Sequence, residues 1–154
     1  NLRDGLCTVD PEHAEVYRAN AGAYIAQIEK TENRLQKAVE GLPYTDSIIF
    51  HNSLAYFARD LGLTVVSSLT IGEEAGVSAA DLLAAQQAAQ KAGDVLLLYD
   101  SQYPVEYTYV ADKTTNHAVL TMDMAVVGTQ DKNAWLDAMA ENAEALEALA
   151  GRHS

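Results

Sequence analysis

The chain has 154 residues, 49% hydrophobic and 21% charged, with a formal net charge of −12 from 22 acidic and 10 basic residues. That length fits one domain with a single core, and the balance excludes a disordered tail. The acidic surplus excludes the cationic face that nucleic acid requires, and no apolar run approaches the ~20 residues of a membrane-spanning helix.

Residues 1–9 read as an irregular N-terminal segment holding the single cysteine, Cys7, which excludes an internal disulfide and a thiolate zinc cluster. No basic-then-apolar signal pattern opens the chain and no apolar run precedes Cys7, so any targeting segment is expected upstream or removed. Asp10-Pro11-Glu12 reads as a helix start, with Asp10 as the cap and Pro11 in the first turn. Tyr17, Ala21, Tyr24, Ile28, Thr31, Leu35, Ala38 and Leu42 then recur at steps of four and three, which predicts one long helix over 11–41, closed by Gly41 and Pro43. Its stripe requires a partner, and Tyr17 and Tyr24 are large residues to leave in water.

Beyond the helix the apolar runs are short. Ser47-Ile48-Ile49-Phe50, Leu63 to Leu69, Val95 to Tyr99 and Ala118 to Met122 read as strands. Between them lie a short helix from Ser53 to Leu61, a helix opened by the Ser78/Asp81 pair and stopped at Gly93, and a C-terminal helix that Asp131 can cap. The last of these carries Trp135, Met139, Ala143 and Leu146 on one face. Val105 to Val110 alternates like a half-exposed strand, but a crossover between parallel strands favours a helix after Pro104. Apolar strands without polar alternation, separated by helices, indicate an α/β fold with a central parallel sheet of about four strands covered on both faces.

In such a sheet, ligands collect outside the carboxyl ends of the strands. His51 follows the first strand, Thr70 and the Glu73-Glu74 loop the second, Asp100 the third and Asp123 the fourth. Neutral imidazole and carboxylates suit zinc, and manganese when oxygen donors dominate. A histidine at a strand end is also a common hydrogen-bonded structural residue, and Asp100 can cap the next helix. His13, His117 and His153 read as surface residues. No nucleophile elbow, phosphate-cradling glycine loop or H-E-x-x-H pair is present.

At the motif level, Phe50-His51-Asn52-Ser53-Leu54-Ala55-Tyr56-Phe57-Ala58-Arg59-Asp60-Leu61-Gly62-Leu63 resembles the F-H-D-A-F-G-Y-F-A-x-x-Y-G-L signature of the zinc and manganese substrate-binding proteins of ABC importers, the TroA-like or ZnuA-like cluster. Asp10-Pro11-Glu12-His13-Ala14 through Tyr24 is similar to that family's D-P-E-N-A-x-x-Y-x-x-N-A-x-x-Y stretch. Tyr99-Asp100-Ser101-Gln102 stands against V-E-P-Q, Met122-Asp123 against L-D-P, and Trp135 to Asn142 against Y-L-D-M-M-x-x-N. Asn52, Ala55, Asp100 and Met124 depart from the pattern.

The resemblance implies that residues 10–154 form the C-terminal lobe of an extracytoplasmic protein, periplasmic or held to the cell surface as a lipoprotein, whose N-terminal lobe is absent. The long helix would join the lobes, with the α/β part over 44–154. It further implies His51 and Asp123 as two of four ligands to zinc, alternatively manganese, and delivery of the metal to an ABC permease without catalysis. Two other readings stand beside it: an adhesin-like interaction domain without metal transport, and a small α/β enzyme using Asp100 or Asp123 as an acid-base group.

Overall fold

The apolar runs pair as a parallel sheet because each is followed by a helix that returns the chain to the starting edge. The computed structural model describes residues 1–69, 77–102, 108–112, 114, 116–125, 127–128 and 130–152. Helix α1 (Leu2–Val9) and a 3₁₀ turn (Pro11–His13) lead into α2 (Ala14–Glu40). Strand β1 (Asp46–Ile49), α3 (Leu54–Asp60), β2 (Thr64–Ser68), α4 (Ala79–Ala92), β3 (Asp94–Asp100), α5 (Thr108–Ala111), β4 (Asn116–Met122) and α6 (Ala134–Ala150) follow. All pairings are parallel, in the order β2-β1-β3-β4.

Strand β3 shows why these segments carry no polar alternation. Leu96 and Leu98 pack on one face with Leu35 of α2, Leu54 of α3 and Met139 and Leu146 of α6. Val95, Leu97 and Tyr99 pack on the other with Ala85 and Ala89 of α4 and Val110 of α5. With period-2 side chains and both faces covered, every position from Val95 to Tyr99 is apolar. Phe50 and Tyr99 stack with ring centroids 4.0 Å apart.

Ser78 opens α4 as expected, its Oγ accepting from Asp81 N at 3.1 Å. The left-handed residues Gly62 and Gly93, at φ +77° and +85°, follow α3 and α4. A residue with a Cβ is strained at such angles, which is why glycine ends both helices. The region from Val105 to Val110 proves helical where it is described, from Thr108 onward.

Two readings of the sequence are corrected. Residues 1–9 form helix α1 rather than an irregular segment: Leu2, Leu6 and Val9 lie at helical spacing, and Asp4 in the first turn suits the helix dipole. Asp10 does not cap the next helix, because its carboxylate accepts from the Tyr17 hydroxyl at 2.6 Å and sits 2.9 Å from His13 Nδ1. These bonds hold the Asp10 carboxyl below its ordinary range, the Tyr17 contact most of all.

Along α2 the predicted stripe is graded. Tyr17, Ala21, Tyr24, Ile28 and Thr31 are half-buried, whereas Leu35 and Ala38 are buried. The C-terminal half docks on α6, where Arg34 donates to both carboxylate oxygens of Glu147 at 2.7 Å. Near the other end of the helix Leu2, Val9, Val16 and Ile25 stay exposed.

Two measurements test this packing. Leu97 is fully buried, so Leu97→Ala is expected to cost about 2–5 kcal/mol in urea unfolding, while Leu83→Ala, at an exposed site, changes stability by no more than ~0.5 kcal/mol. The Arg34 guanidinium holds the Glu147 carboxyl below its ordinary 4.5. A depressed carboxylate stabilises the fold above its unfolded value, and that contribution is lost as pH falls through the folded one. Glu147→Gln should therefore lower stability at pH 6 and flatten its decline below about 4.5, with a small amplitude because the pair is exposed.

Candidate metal centre

The strand order places a topological switch point between β1 and β3: from β1 the chain runs outward to β2, then returns to the other side as β3. The crevice outside their carboxyl ends is where open parallel sheets bind ligands. His51 leaves β1 there, and Asp100 ends β3. Asp100 pairs with Met122, so Asp123 emerges at the same edge one strand further on.

Asp100 is 2% exposed. A buried carboxylate requires donors, and two are present. Ser53 Oγ donates to Oδ2 at 2.6 Å and the Gln102 amide donates to Oδ1 at 3.1 Å. Ser53 Oγ also lies 2.8 Å from His51 Nδ1, and the Ser53 amide lies 3.1 Å from the same nitrogen. On the far side, Gln102 Nε2 donates to Asp123 Oδ1 at 3.3 Å and to the Val127 carbonyl at 3.4 Å, so the amide orientation follows from two acceptors. A continuous hydrogen-bonded line thus joins His51 to Asp123 through Ser53, Asp100 and Gln102.

Asp123 is held by backbone as well as side chain. The buried Asn142 of α6 accepts from Asp123 N and donates to Asp123 O, both at 2.8 Å, in the manner of a neighbouring strand. Asp123 Oδ1 also accepts from Ala125 N at 2.7 Å, closing a turn in which Ala125 takes φ 53°. A non-glycine residue in that region persists only where its surroundings fix it, and here the Asp123 carboxylate and Asn142 do so. Asp123 borders an open groove of about 550 Å³ with Tyr24, Trp135, Asp131, Asp137 and Glu141. Its four carboxylates, set against the single lysine Lys132, favour a cation over an anion.

The line between the two expected ligands was missed in the sequence, as were the parts of Ser53 and Asn142. Ser53 looks like an ordinary helix cap; its one distinguishing signal is that it stands where the family signature has Ala. Asn142 fell within the closing helix motif without an assigned task. Of the other histidines, His13 is exposed and bound to Asp10. His117 is half-buried on β4 rather than at the surface, its Nδ1 donating to the Thr114 carbonyl at 2.9 Å, at the amino end of the sheet away from the site. Thr70, Glu73, Glu74 and His153 lie outside the described residues.

Residues 1–149 match the family described as ZnuA, zinc-uptake complex component A, periplasmic. The chain belongs to this family. Among curated relatives of the zinc-uptake component, the zinc-binding protein AdcA of Streptococcus pyogenes serotype M6 is 25% identical over 122 residues, 79% of this chain and 22% of AdcA. The high-affinity zinc uptake system protein ZnuA of Paracoccus denitrificans is 29% identical over 94 residues, 61% of this chain and 29% of that protein. Among solved structures, the substrate-binding protein FpvC of Pseudomonas aeruginosa in complex with Mn²⁺ superposes with a TM-score of 0.78 at 16% identity, covering 99% of this chain and 58% of FpvC. The chain therefore spans under a third of these curated relatives and just over half of that structure, and the shared fold is that of a metal-binding substrate-binding protein.

Asn142→Ala leaves the partly buried N–H and C=O of Asp123 without their Asn142 partners, which costs about 1–3 kcal/mol. Hydrogen exchange at the Asp123 amide should quicken accordingly, with strand amides such as Leu97 changing only by the global loss of stability.

Proposed function

We propose that this chain forms the C-terminal lobe of an extracytoplasmic zinc-capture protein that hands its ion to an ABC permease, with His51 and Asp123 as the ligands contributed by this lobe. The observation that carries the reading is the line His51-Ser53-Asp100-Gln102-Asp123, which fixes one imidazole and one carboxylate along the switch-point edge of a fold whose family takes up zinc. Imidazole with carboxylate is a zinc donor set, and manganese is the second candidate because Asp123 and the acidic groove supply oxygen.

The hydrogen-bond directions argue against hydrolytic chemistry. A serine nucleophile needs its proton taken by an imidazole that a third group orients. Here the Ser53 hydroxyl lies between His51 and Asp100 and donates its hydrogen bond to the carboxylate, not to the imidazole.

Zinc sites with four protein ligands bind with about 10–16 kcal/mol; two ligands hold the ion far more weakly, because water completes the shell. Calorimetric titration of zinc into the chain should show weak binding that His51→Ala and Asp123→Ala each reduce at least ~10-fold. His13→Ala and His117→Ala should leave it unchanged. Equal losses at His51 and His117 would refute the site.

A further inference from the structure

We infer that Ser53 is a positioning residue that lengthens the reach of Asp100, accepting a hydrogen bond from Nδ1–H of His51 and donating one from its own hydroxyl to the carboxylate, so that the imidazole presents its lone pair on Nε2. The inference rests on the proposed role of His51, and goes beyond it by assigning which nitrogen serves the metal and what enforces the choice.

Proton accounting carries it. A hydroxyl has one hydrogen. The 2.6 Å contact between Ser53 Oγ and Asp100 Oδ2 uses it, because a carboxylate only 2% exposed requires a donor. The 2.8 Å contact between Oγ and His51 Nδ1 then requires the hydrogen to lie on the ring. In the other neutral form, Nδ1 would accept from the Ser53 amide at 3.1 Å and set its lone pair against that of Oγ at 2.8 Å. The first arrangement satisfies both short contacts and sets the ring hydrogen against the Ser53 amide at 3.1 Å; the second makes that amide bond and sets two lone pairs together at the closer distance of 2.8 Å.

A second observation points the same way. Ser53 is the N-cap residue of α3, yet its side chain makes no capping bond and its backbone is already helical, at φ −54° and ψ −32°. Serine at that position ordinarily accepts from an amide in the first turn. The hydroxyl has been turned from that task toward Asp100. Where the family signature has Ala and Glu, this chain has Ser53 and Asp100: a carboxylate one methylene shorter, with a hydroxyl beside it.

Nitrogen-15 NMR of the imidazole in the metal-free chain reads the ring form directly. The wild type and Ser53→Thr should show His51 with its hydrogen on Nδ1. Ser53→Ala should release the ring from that form, and zinc affinity should fall roughly 10- to 100-fold, the usual effect of losing a group that orients a ligand, with Ser53→Thr retaining most of it. A hydrogen on Nε2 in the wild type would overturn the inference, as would a ring form or zinc affinity unmoved by Ser53→Ala. Should Ser53→Ala fail to fold, the wild-type and Ser53→Thr ring forms decide. Because the ring form is read without metal, failure of zinc to bind at His51 is distinguishable from failure of the relay.

Discussion

The site depends on a constraint of chain direction. Strands β1 and β3 are adjacent and parallel, so each must be left by a connection that crosses a face of the sheet, and the two connections depart on opposite sides. The gap this leaves at their carboxyl ends exposes the last backbone groups of both strands to whatever side chains follow. In this chain those are His51 and Asp100, and the buried Asp100 draws a donor from each neighbour: the Ser53 hydroxyl from the β1 side and the Gln102 amide from its own loop. The polar line is thus a result of burying a carboxylate at a point where the topology brings two loops together, and Asp123 joins it because Gln102 has a second donor to give.

Much of the fold could be read from the sequence because the signals were physical and redundant. The runs around Ile48, Leu97 and Leu120 carry no alternation, and helices cover both faces of the sheet they form. The stripe from Tyr17 to Ala38 has helical spacing, and those positions are the buried or half-buried ones. What escaped were features with weak or misleading local signatures. Helix α1 has helical spacing at Leu2, Leu6 and Val9, but none of them is buried, so its apolar period carried little weight. Ser53 has the residue type and position of a cap, and its local sequence holds no hint of Asp100, which lies 47 residues away.

The candidate ligands were legible and their support was not. His51 and Asp123 stand at strand ends inside a recognisable motif, whereas the groups that orient them belong to other elements: Asp100 on β3, Gln102 in the loop beyond it, Asn142 on α6. Such pairings are set by register and helix docking. A one-residue slip in β3 against β4 would turn Asp100 to the other face of the sheet, even with every residue type unchanged.

Helix α2 has a mechanical meaning beyond its packing. Its 27 residues extend about 40 Å, and its fully buried residues, Leu35, Ala38 and Val39, all lie near the C-terminal end. The helix is a lever clamped at one end. A tilt of ~5° at the clamp moves the far tip by roughly 3 Å on that length, more than the ~0.5 Å tolerance within which a functional constellation must be held. The clamp on α6, with the Arg34–Glu147 fork across it, therefore sets how accurately anything borne at the tip is aimed back toward His51 and Asp123.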